Sequence, residues 1–451
     1  MSQVLDRSSP PESGTRPALR LPRSERYSLT NGLDVLILAR PGLPEASLRL
    51  ITEAGAALEP ESECGVAELT GRLLTEGAAG RDAMQMAEWL DRLGAAFTVS
   101  ASYDVTMVSM HSLSETLSGA LDYLAAATRE PDFSVAETER VRQERLDEIE
   151  RDRDEPSIVA TRRLISAVYG EHPYGRPADG TYESVSALDA ESVRRFHHRR
   201  YTSGGAALIV SGDIDPEELV ADLERRFGDW APGAERLQLP VVPAHPLRPG
   251  RALIVDRPGS AQSEIRIGTI GAPFQTDDLY AATLGNAILG GLFSSRINMN
   301  LREDKGWTYG ARSAFHFRRG AGPFVAQTAV ETPVTADAVA EMMAEIRGMV
   351  SNPPSEEEMS LAKNALTLSL PRQFETTSQV TGKLARQVIF GLPEDYWERY
   401  PERINAVSRD QVVAAMERYL DAEQLVLLVV GDAGTIEPGL RAFGPTEVGP
   451  G

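Results

Sequence analysis

Two stretches of this sequence occur twice, in the same order and at nearly the same separation. VLILARPG (35–42) returns as ALIVDRPG (252–259), and an alternating, strand-like segment follows each copy. Near the end of each half, IVSGDIDPEEL (209–219) returns as VVGDAGTIEPGL (429–440). Repetition at a fixed offset is typical of a chain built from duplicated units. The sequence therefore predicts two homologous halves.

Each half is predicted to be one α+β domain, because it mixes strand-like and helix-like periods. The alternation in EIRIGTI (264–270) is typical of a half-buried strand. Asn31-Gly32 lies between two strand-like runs and predicts a hairpin turn. Ser134 and Glu137 are spaced as a capping box at the start of a long charged helix.

The predicted domain boundaries follow changes in composition. Residues 1–24 are rich in Ser, Pro and Arg without an apolar core, which predicts a disordered arm rather than a secretory signal. The first domain is expected over 25–235 and the second over 251–442. A proline-bearing segment without helical period, 236–250, is interpreted as the linker, and 443–451 as a C-terminal tail.

Composition excludes several classes of protein. At 451 residues the chain is longer than one hydrophobic core usually serves, and its 42% hydrophobic content is that of a globular protein. The formal net charge of -20 argues against nucleic acid and anionic membranes as partners. The sequence contains no run of about 18 apolar residues, so it predicts no membrane-spanning helix. We expect a cytoplasmic protein, or a periplasmic one if a signal was removed.

Self-contained catalytic motifs are absent from the sequence. The single cysteine, Cys64, excludes an intrachain disulfide and a cysteine zinc cluster, and it is interpreted as a small buried side chain. No two of the six histidines are spaced to share one helix face. His197 and His198 are adjacent and would point about 100° apart on a helix, which favours surface or capping roles. A novel site around them is kept as a third hypothesis.

Beyond these patterns, three segments resemble one family. They are GVAELTGRLLTEGA (65–78), EHPYGRPADGTYESVSAL (171–188) and ILGGLFSSRINMNLREDKGWTYGARS (288–313). In their order they resemble the pitrilysin/insulinase family of zinc peptidases, in its mitochondrial processing peptidase-like branch, and the resemblance covers nearly all of 25–440. It implies an α+β fold of two homologous, clamshell-like domains, each a mainly antiparallel sheet packed with helices.

The resemblance also implies that the zinc site of the family is degenerate here. An active member carries H-x-x-E-H, in which two histidines hold Zn²⁺ and the glutamate takes a proton from the metal-bound water. This chain has Glu68, Gly71 and Arg72 at those three positions, while Glu148 falls near the place of the third ligand. Because a guanidinium repels a cation, we expect no zinc in this chain. Glu68, Arg72 and Glu148 are expected to form ion pairs instead.

A second family feature is retained. Active members carry an Arg and a Tyr seven residues apart that reach the substrate opposite the zinc, and Arg302 and Tyr309 have this spacing. Both side chains can donate hydrogen bonds to a carbonyl oxygen that gains negative charge. The resemblance thus implies a non-zinc subunit that supplies Arg302 and Tyr309 to a heterodimeric peptidase.

The implied partner is a homologous subunit that carries H-x-x-E-H and Zn²⁺, and the implied substrate is an unfolded peptide added to a sheet edge. The acidic composition favours basic peptides. The alternative is a catalytically inactive structural or peptide-binding subunit, similar to the core proteins of respiratory complexes.

Overall fold

The structure, a computed structural model, describes residues 23–233 and 239–450. Most of the predicted arm (1–24) and the start of the predicted linker (236–250) lie outside the described residues. None of the described helices combines the length and the apolar character needed to cross a bilayer.

The described part of the first half, residues 23–233, contains eight strands and eight α-helices. The strands are β1 (Glu25–Ser28), β2 (Asp34–Ala39), β3 (Glu45–Thr52), β4 (Gly77–Ala78), β5 (Arg81–Asp82), β6 (Ala96–Ala101), β7 (Thr106–Leu113) and β8 (Ala207–Gly212). The helices are α1 (Val66–Leu73), α2 (Ala83–Leu93), α3 (Leu117–Arg129), α4 (Val135–Asp152), α5 (Pro156–Tyr169), α6 (Tyr182–Ser186), α7 (Ala190–Arg200) and α8 (Pro216–Phe227).

Over residues 239–450, the second half contains six strands and eight α-helices. The strands are β9 (Ala252–Asp256), β10 (Gln262–Ile270), β11 (Ala311–Phe315), β12 (Pro323–Glu331), β13 (Val426–Gly431) and β14 (Thr446–Pro450). The helices are α9 (Leu279–Asn286), α10 (Arg296–Asn298), α11 (Thr335–Ser351), α12 (Glu356–Leu368), α13 (Thr377–Phe390), α14 (Tyr396–Ala406), α15 (Arg409–Tyr419) and α16 (Ala433–Leu440). Two π-helical turns, Ala287–Gly291 and Met299–Asp304, flank α10.

The two large sheets share the order of five strands and differ at one edge, which is the antiparallel first strand β1 in one sheet and the parallel last strand β14 in the other. The first runs β1-β2-β8-β3-β7-β6, and the second, in the corresponding direction, runs β14-β9-β13-β10-β12-β11. The central pairings are antiparallel except for β2 with β8 and its counterpart β9 with β13, which are parallel. This shared order confirms the predicted duplication and the α+β fold class.

The turn between β1 and β2 is the hairpin that Asn31-Gly32 predicts. Gly32 has a φ of +84°, which a residue without a Cβ adopts freely. The Asn31 side chain donates to the carbonyls of Phe227 and Trp230, so the turn is tied to the end of α8.

The halves are joined by an exchange of one helix each. Helix α5 of the first half packs on β10 and β13 of the second sheet, and α13 of the second half packs on β3 and β8 of the first sheet. Leu164 and Val168 of α5 share a buried cluster with strand residues of the second half. Val380 and Leu384 of α13 do the same in the first half. Each sheet is therefore completed by the other half.

The C-terminal segment differs from the prediction of a tail over 443–451. Thr446–Pro450 forms the edge strand β14 and pairs in parallel with β9. Glu447 accepts hydrogen bonds from both Arg248 and Arg251, which hold the segment against the sheet. The short sequence TEVGP has only Thr446 and Val448 as strand-favouring residues beside Glu, Gly and Pro, so its strand character depends on this tertiary pairing.

Candidate functional site

Helix α1 carries the degenerate zinc motif, and local contacts fix where it begins. Gly65 precedes it in the left-handed region at φ +95°. The buried Glu59 carboxyl accepts from the backbone N–H groups of Gly65 and Ala67, at 2.9 and 2.6 Å, and so caps the helix. Burial raises the pKa of Glu59 to about 8. The apolar face of α1 enters the core through Val66, Leu69 and Leu73.

The opposite face of α1 forms the ion pairs that the sequence predicts. Arg72 donates from Nε to Glu68 Oε1 at 2.8 Å, one helical turn away. Its Nη1 and Nη2 donate to the two carboxylate oxygens of Glu148 on α4, each at 2.9 Å. This two-pronged geometry matches a guanidinium to a carboxylate. The bonds to Arg72 hold the pKa of Glu148 below its usual value.

The Arg72–Glu148 pair belongs to a longer network. Arg145, only 5% exposed, donates to Glu148 at 2.7 Å and also to the side chain and carbonyl of Asp179. Arg162 then bridges Asp179 and Asp152 at 2.8 and 2.7 Å. Asp152 is the last residue of the charged helix α4. In the structure it closes a chain of alternating charges.

The residues present do not fit a zinc ion. Glu68 and Glu148 are both engaged by Arg72, whose fixed positive charge lies where a cation would have to bind. Histidine is missing from both motif positions, and Gly71 has no side chain to act as a base. Within residues 23–233 and 239–450, no three His, Cys, Asp or Glu side chains are grouped so as to hold a metal.

Arg302 and Tyr309 lie on a different part of the molecule, in the second half. Arg302 belongs to the π-helical turn Met299–Asp304, and its guanidinium stacks over the Phe293 ring at 4.5 Å from the centroid. Its Nε lies 3.5 Å from Glu303. Tyr309 follows in a loop and is 98% exposed. Its hydroxyl is thus open to a ligand.

One cavity of about 950 Å³ connects these two regions. It lies between the halves, and Arg302 and Tyr309 line it from one side. Asp152 and Asp179 line it from the other. The Arg72–Glu148 pair connects to the cavity through Arg145 and Asp179. The structure therefore brings Arg302, Tyr309 and the end of the charge network to the same space.

The HPYGRP segment (172–177) acts as a joint between the halves. The buried Tyr174 hydroxyl donates to Asp104 at 2.5 Å and accepts from the Gly320 N–H at 3.1 Å. Asp104 also accepts from the Arg319 N–H at 2.9 Å. Because loop 318–322 belongs to the second half, these bonds fix how the cavity walls face each other.

The remaining candidates have structural roles. His197 bonds through Nε2 to the Thr128 carbonyl at 2.9 Å and stacks on Tyr201, and burial lowers its pKa to about 4. His198 is exposed on another face of the helix. Cys64 is buried, which raises the pKa of its thiol to about 12. Neither histidine nor thiol is placed as a reactive group.

Phe293, Arg145 and Asp179 were missed by sequence reasoning. Phe293 belongs to GLFSSR, and only one short helix separates this segment from Arg302. Its closeness to Arg302 in the sequence could have indicated a contact between the two side chains. Asp179 follows HPYGRP in a loop, and nothing in the spacing links it to α4. Such a contact requires the tertiary structure.

Two sequence profiles of one peptidase family match most of this chain. The sequence profile of the insulinase family (peptidase family M16) matches residues 34–181, and that of the peptidase M16 inactive domain matches residues 187–366. The chain belongs to peptidase family M16, the pitrilysin/insulinase family, and lacks that family's zinc-binding motif.

Relatives and solved structures extend the likeness along almost the whole chain. An uncharacterized zinc protease of Mycobacterium leprae is 26% identical over 88% of this chain and 89% of its own length. One from Bacillus subtilis is 24% identical, over 91% and 99%.

Among solved structures, a peptidase M16 inactive domain from Pseudomonas fluorescens has a TM-score of 0.85 at 27% identity, covering 91% of this chain and 98% of that one. A chain of complex III from Candida albicans has a TM-score of 0.78 at 16% identity, covering 93% and 99%, and so shares the fold.

Proposed function

We propose that this chain is the non-zinc subunit of a two-chain zinc peptidase that cleaves unfolded peptides. One observation carries the proposal: the metal position is taken by Arg72 paired with Glu148, while Arg302 and Tyr309 remain open to a cavity. An ion-paired site offers no hydrolytic chemistry. The hydrogen-bond donors of Arg302 and Tyr309 face open space, so they can bind a peptide whose cleavage is catalysed by another subunit.

In this proposal Arg302 and Tyr309 act in trans. A homologous partner carrying H-x-x-E-H and Zn²⁺ places the reacting peptide against this cavity. The guanidinium of Arg302 and the hydroxyl of Tyr309 then donate to the scissile carbonyl oxygen as it becomes negative. Stacking on Phe293 holds Arg302 before the peptide arrives, so less side-chain freedom is lost on binding. The proposed compartment is the cytoplasm.

The experiment is reconstitution with a partner. The chain is purified from its native source, the co-purifying protein is identified, and the two are assayed on an unfolded, internally quenched peptide with zinc. We expect no cleavage by this chain alone and cleavage by the mixture. Cleavage by this chain alone, or a mixture no faster than the partner by itself, would contradict the proposal.

A structural or peptide-binding subunit without any catalytic role is the second candidate. The charge network from Glu68 to Asp152 favours it, because a stabilising network needs no substrate. This role would be supported if the chain forms a stable complex with a partner that lacks H-x-x-E-H and if that complex cleaves no peptide.

A further inference from the structure

The cavity between the halves has a charge balance opposite to that of the whole chain. Its lining includes four arginines and three carboxylates. Every one of the three carboxylates is bonded to an arginine: Asp152 and Asp179 to Arg162, and Glu264 to Arg266 at 2.8 Å. The acidic surplus of the chain is therefore not displayed as free carboxylates in this cavity.

Arg312 is the arginine of this lining that faces no carboxylate. It lies three residues after Tyr309 on β11, the edge strand opposite β14 in the second sheet, and its side chain is exposed. In the part of the chain that the structure describes, no Asp or Glu oxygen lies within 4.0 Å of its guanidinium nitrogens. With the Gln327 amide turned so that its oxygen faces Arg312, Nη2 and Nε donate to it at 2.7 and 2.8 Å.

Of the four arginines in the cavity lining, Arg312 is the one best placed to bind an anionic group. Arg162 and Arg266 are neutralised by their carboxylates, and Arg302 is stacked on Phe293 and assigned to the scissile carbonyl. Gln327 holds the Arg312 guanidinium in a fixed orientation without cancelling its charge. Because Gln327 takes the Nε and Nη2 side of the guanidinium, a carboxylate brought into this cleft would meet the pre-oriented donors at its Nη1 and Nη2 end.

We propose that Arg312 is a specificity-determining residue that selects peptides with an acidic side chain close to the cleavage point. This inference rests on the proposed function, since it assigns the substrate class of the same cavity. It replaces the expectation of basic peptides that the net charge of -20 suggests. A lysine placed at Arg312 would meet like charge, whereas a glutamate would gain charge-assisted hydrogen bonds.

The test is a binding measurement on the full chain. Three fluorescein-labelled unfolded peptides that differ only in one central residue, Glu, Gln or Lys, are titrated with the protein and followed by anisotropy. We expect the Glu peptide to bind about 10-fold more tightly than the Lys peptide, with Gln between them. Arg312→Glu should invert this order, and Arg312→Lys should keep a weaker preference for Glu.

The matched control is Arg347→Glu, which makes the same charge change on an exposed face of α11 outside the cavity lining. It should leave the order of the three peptides unchanged. Equal affinities for the three peptides, no binding of any, or an unchanged order in Arg312→Glu would each overturn the inference.

This result is separable from that of the proposed function. A Glu preference that depends on Arg312, together with no cleavage in any mixture, would remove the peptidase role and leave the binding site. Cleavage by the mixture without any charge preference would remove Arg312 as the determinant and leave the peptidase role.

Discussion

Two parallel hydrogen bonds join Arg72 to Glu148, from Nη1 to Oε1 and from Nη2 to Oε2, each at 2.9 Å. The family resemblance predicts that Arg72 corresponds to the second histidine of the zinc motif and that Glu148 falls near the place of the third ligand. A fixed cation of the protein thus occupies the space that the metal ion would need. This contact joins α1 to α4.

Glu148→Ala should lower the free energy of unfolding by about 1–2 kcal/mol, because it leaves both Arg72 and the buried Arg145 without this acceptor. Both members of the Arg72–Glu148 pair are about one-third exposed, so solvent screening keeps the loss at the low end for a charged pair. Urea denaturation followed by circular dichroism measures the change.

Glu144→Ala is the control for Glu148→Ala, since it makes the same substitution on the same helix. Glu144 is 56% exposed and pairs only across one turn with Arg140. Its loss should change the free energy of unfolding by less than about 0.5 kcal/mol. Equal effects of the two substitutions would show that the network does not stabilise the fold.

The pH dependence of this stabilisation has a defined sign. Arg72 and Arg145 hold the pKa of Glu148 below its ordinary value of 4.5. A carboxyl with a depressed folded-state pKa stabilises the protein above its unfolded-state pKa, and this contribution is lost as pH falls through the folded-state value.

The stability difference between the wild type and Glu148→Gln should therefore be constant from about pH 7 to pH 5 and shrink on further acidification. Urea titrations at several pH values give this difference directly. A difference that grows on acidification would contradict the assigned shift.

Removing the arginine should reopen the metal position. The double substitution Glu68→His and Arg72→His places two imidazoles one turn apart. It also frees Oε1 of Glu148 as a third ligand, while Oε2 still accepts from Arg145. We expect this variant to retain about one zinc per chain after dialysis, measured by metal analysis. Gly71 is left unchanged because a Cβ there would lie 3.0 Å from Val99 Cγ1.

The controls for the zinc variant test the contribution of each proposed ligand to zinc binding. Glu68→His alone should retain no zinc, because Arg72 still engages Glu148. Adding Glu148→Gln to the double variant should lower the zinc content sharply. Stoichiometric zinc in the unaltered chain would contradict the interpretation of a vacated site.

Local patterns predicted much of the fold. The repeated segments indicated two equivalent sheets, and Asn31-Gly32 indicated the hairpin that Gly32 makes at positive φ. The ion pairing of Glu68, Arg72 and Glu148 followed from placing opposite charges where a metal would be. These features could be predicted because they depend on residues that are close in sequence or that share one face of a helix, and both can be read from the sequence.

Long-range pairings were out of reach. The exchange of α5 and α13 between the halves was missed because an amphipathic helix shows which face is buried and not which sheet buries it. The strand β14 depends on its partner β9 for the same reason. The charge balance of the cavity could not be predicted from the net charge, since Asp179 and Arg162 meet only after folding.

The most direct test of the central claim measures the cleavage rate of an unfolded peptide by this chain mixed with its zinc-bearing partner. Arg302→Ala or Tyr309→Phe in this chain alone should lower kcat by roughly 100-fold, because each removes a donor to the developing oxyanion. Arg347→Ala and Tyr27→Phe, which lie outside the cavity lining, should leave kcat unchanged. An undiminished kcat in the Arg302 and Tyr309 variants would contradict the claim that this chain supplies them to the reaction.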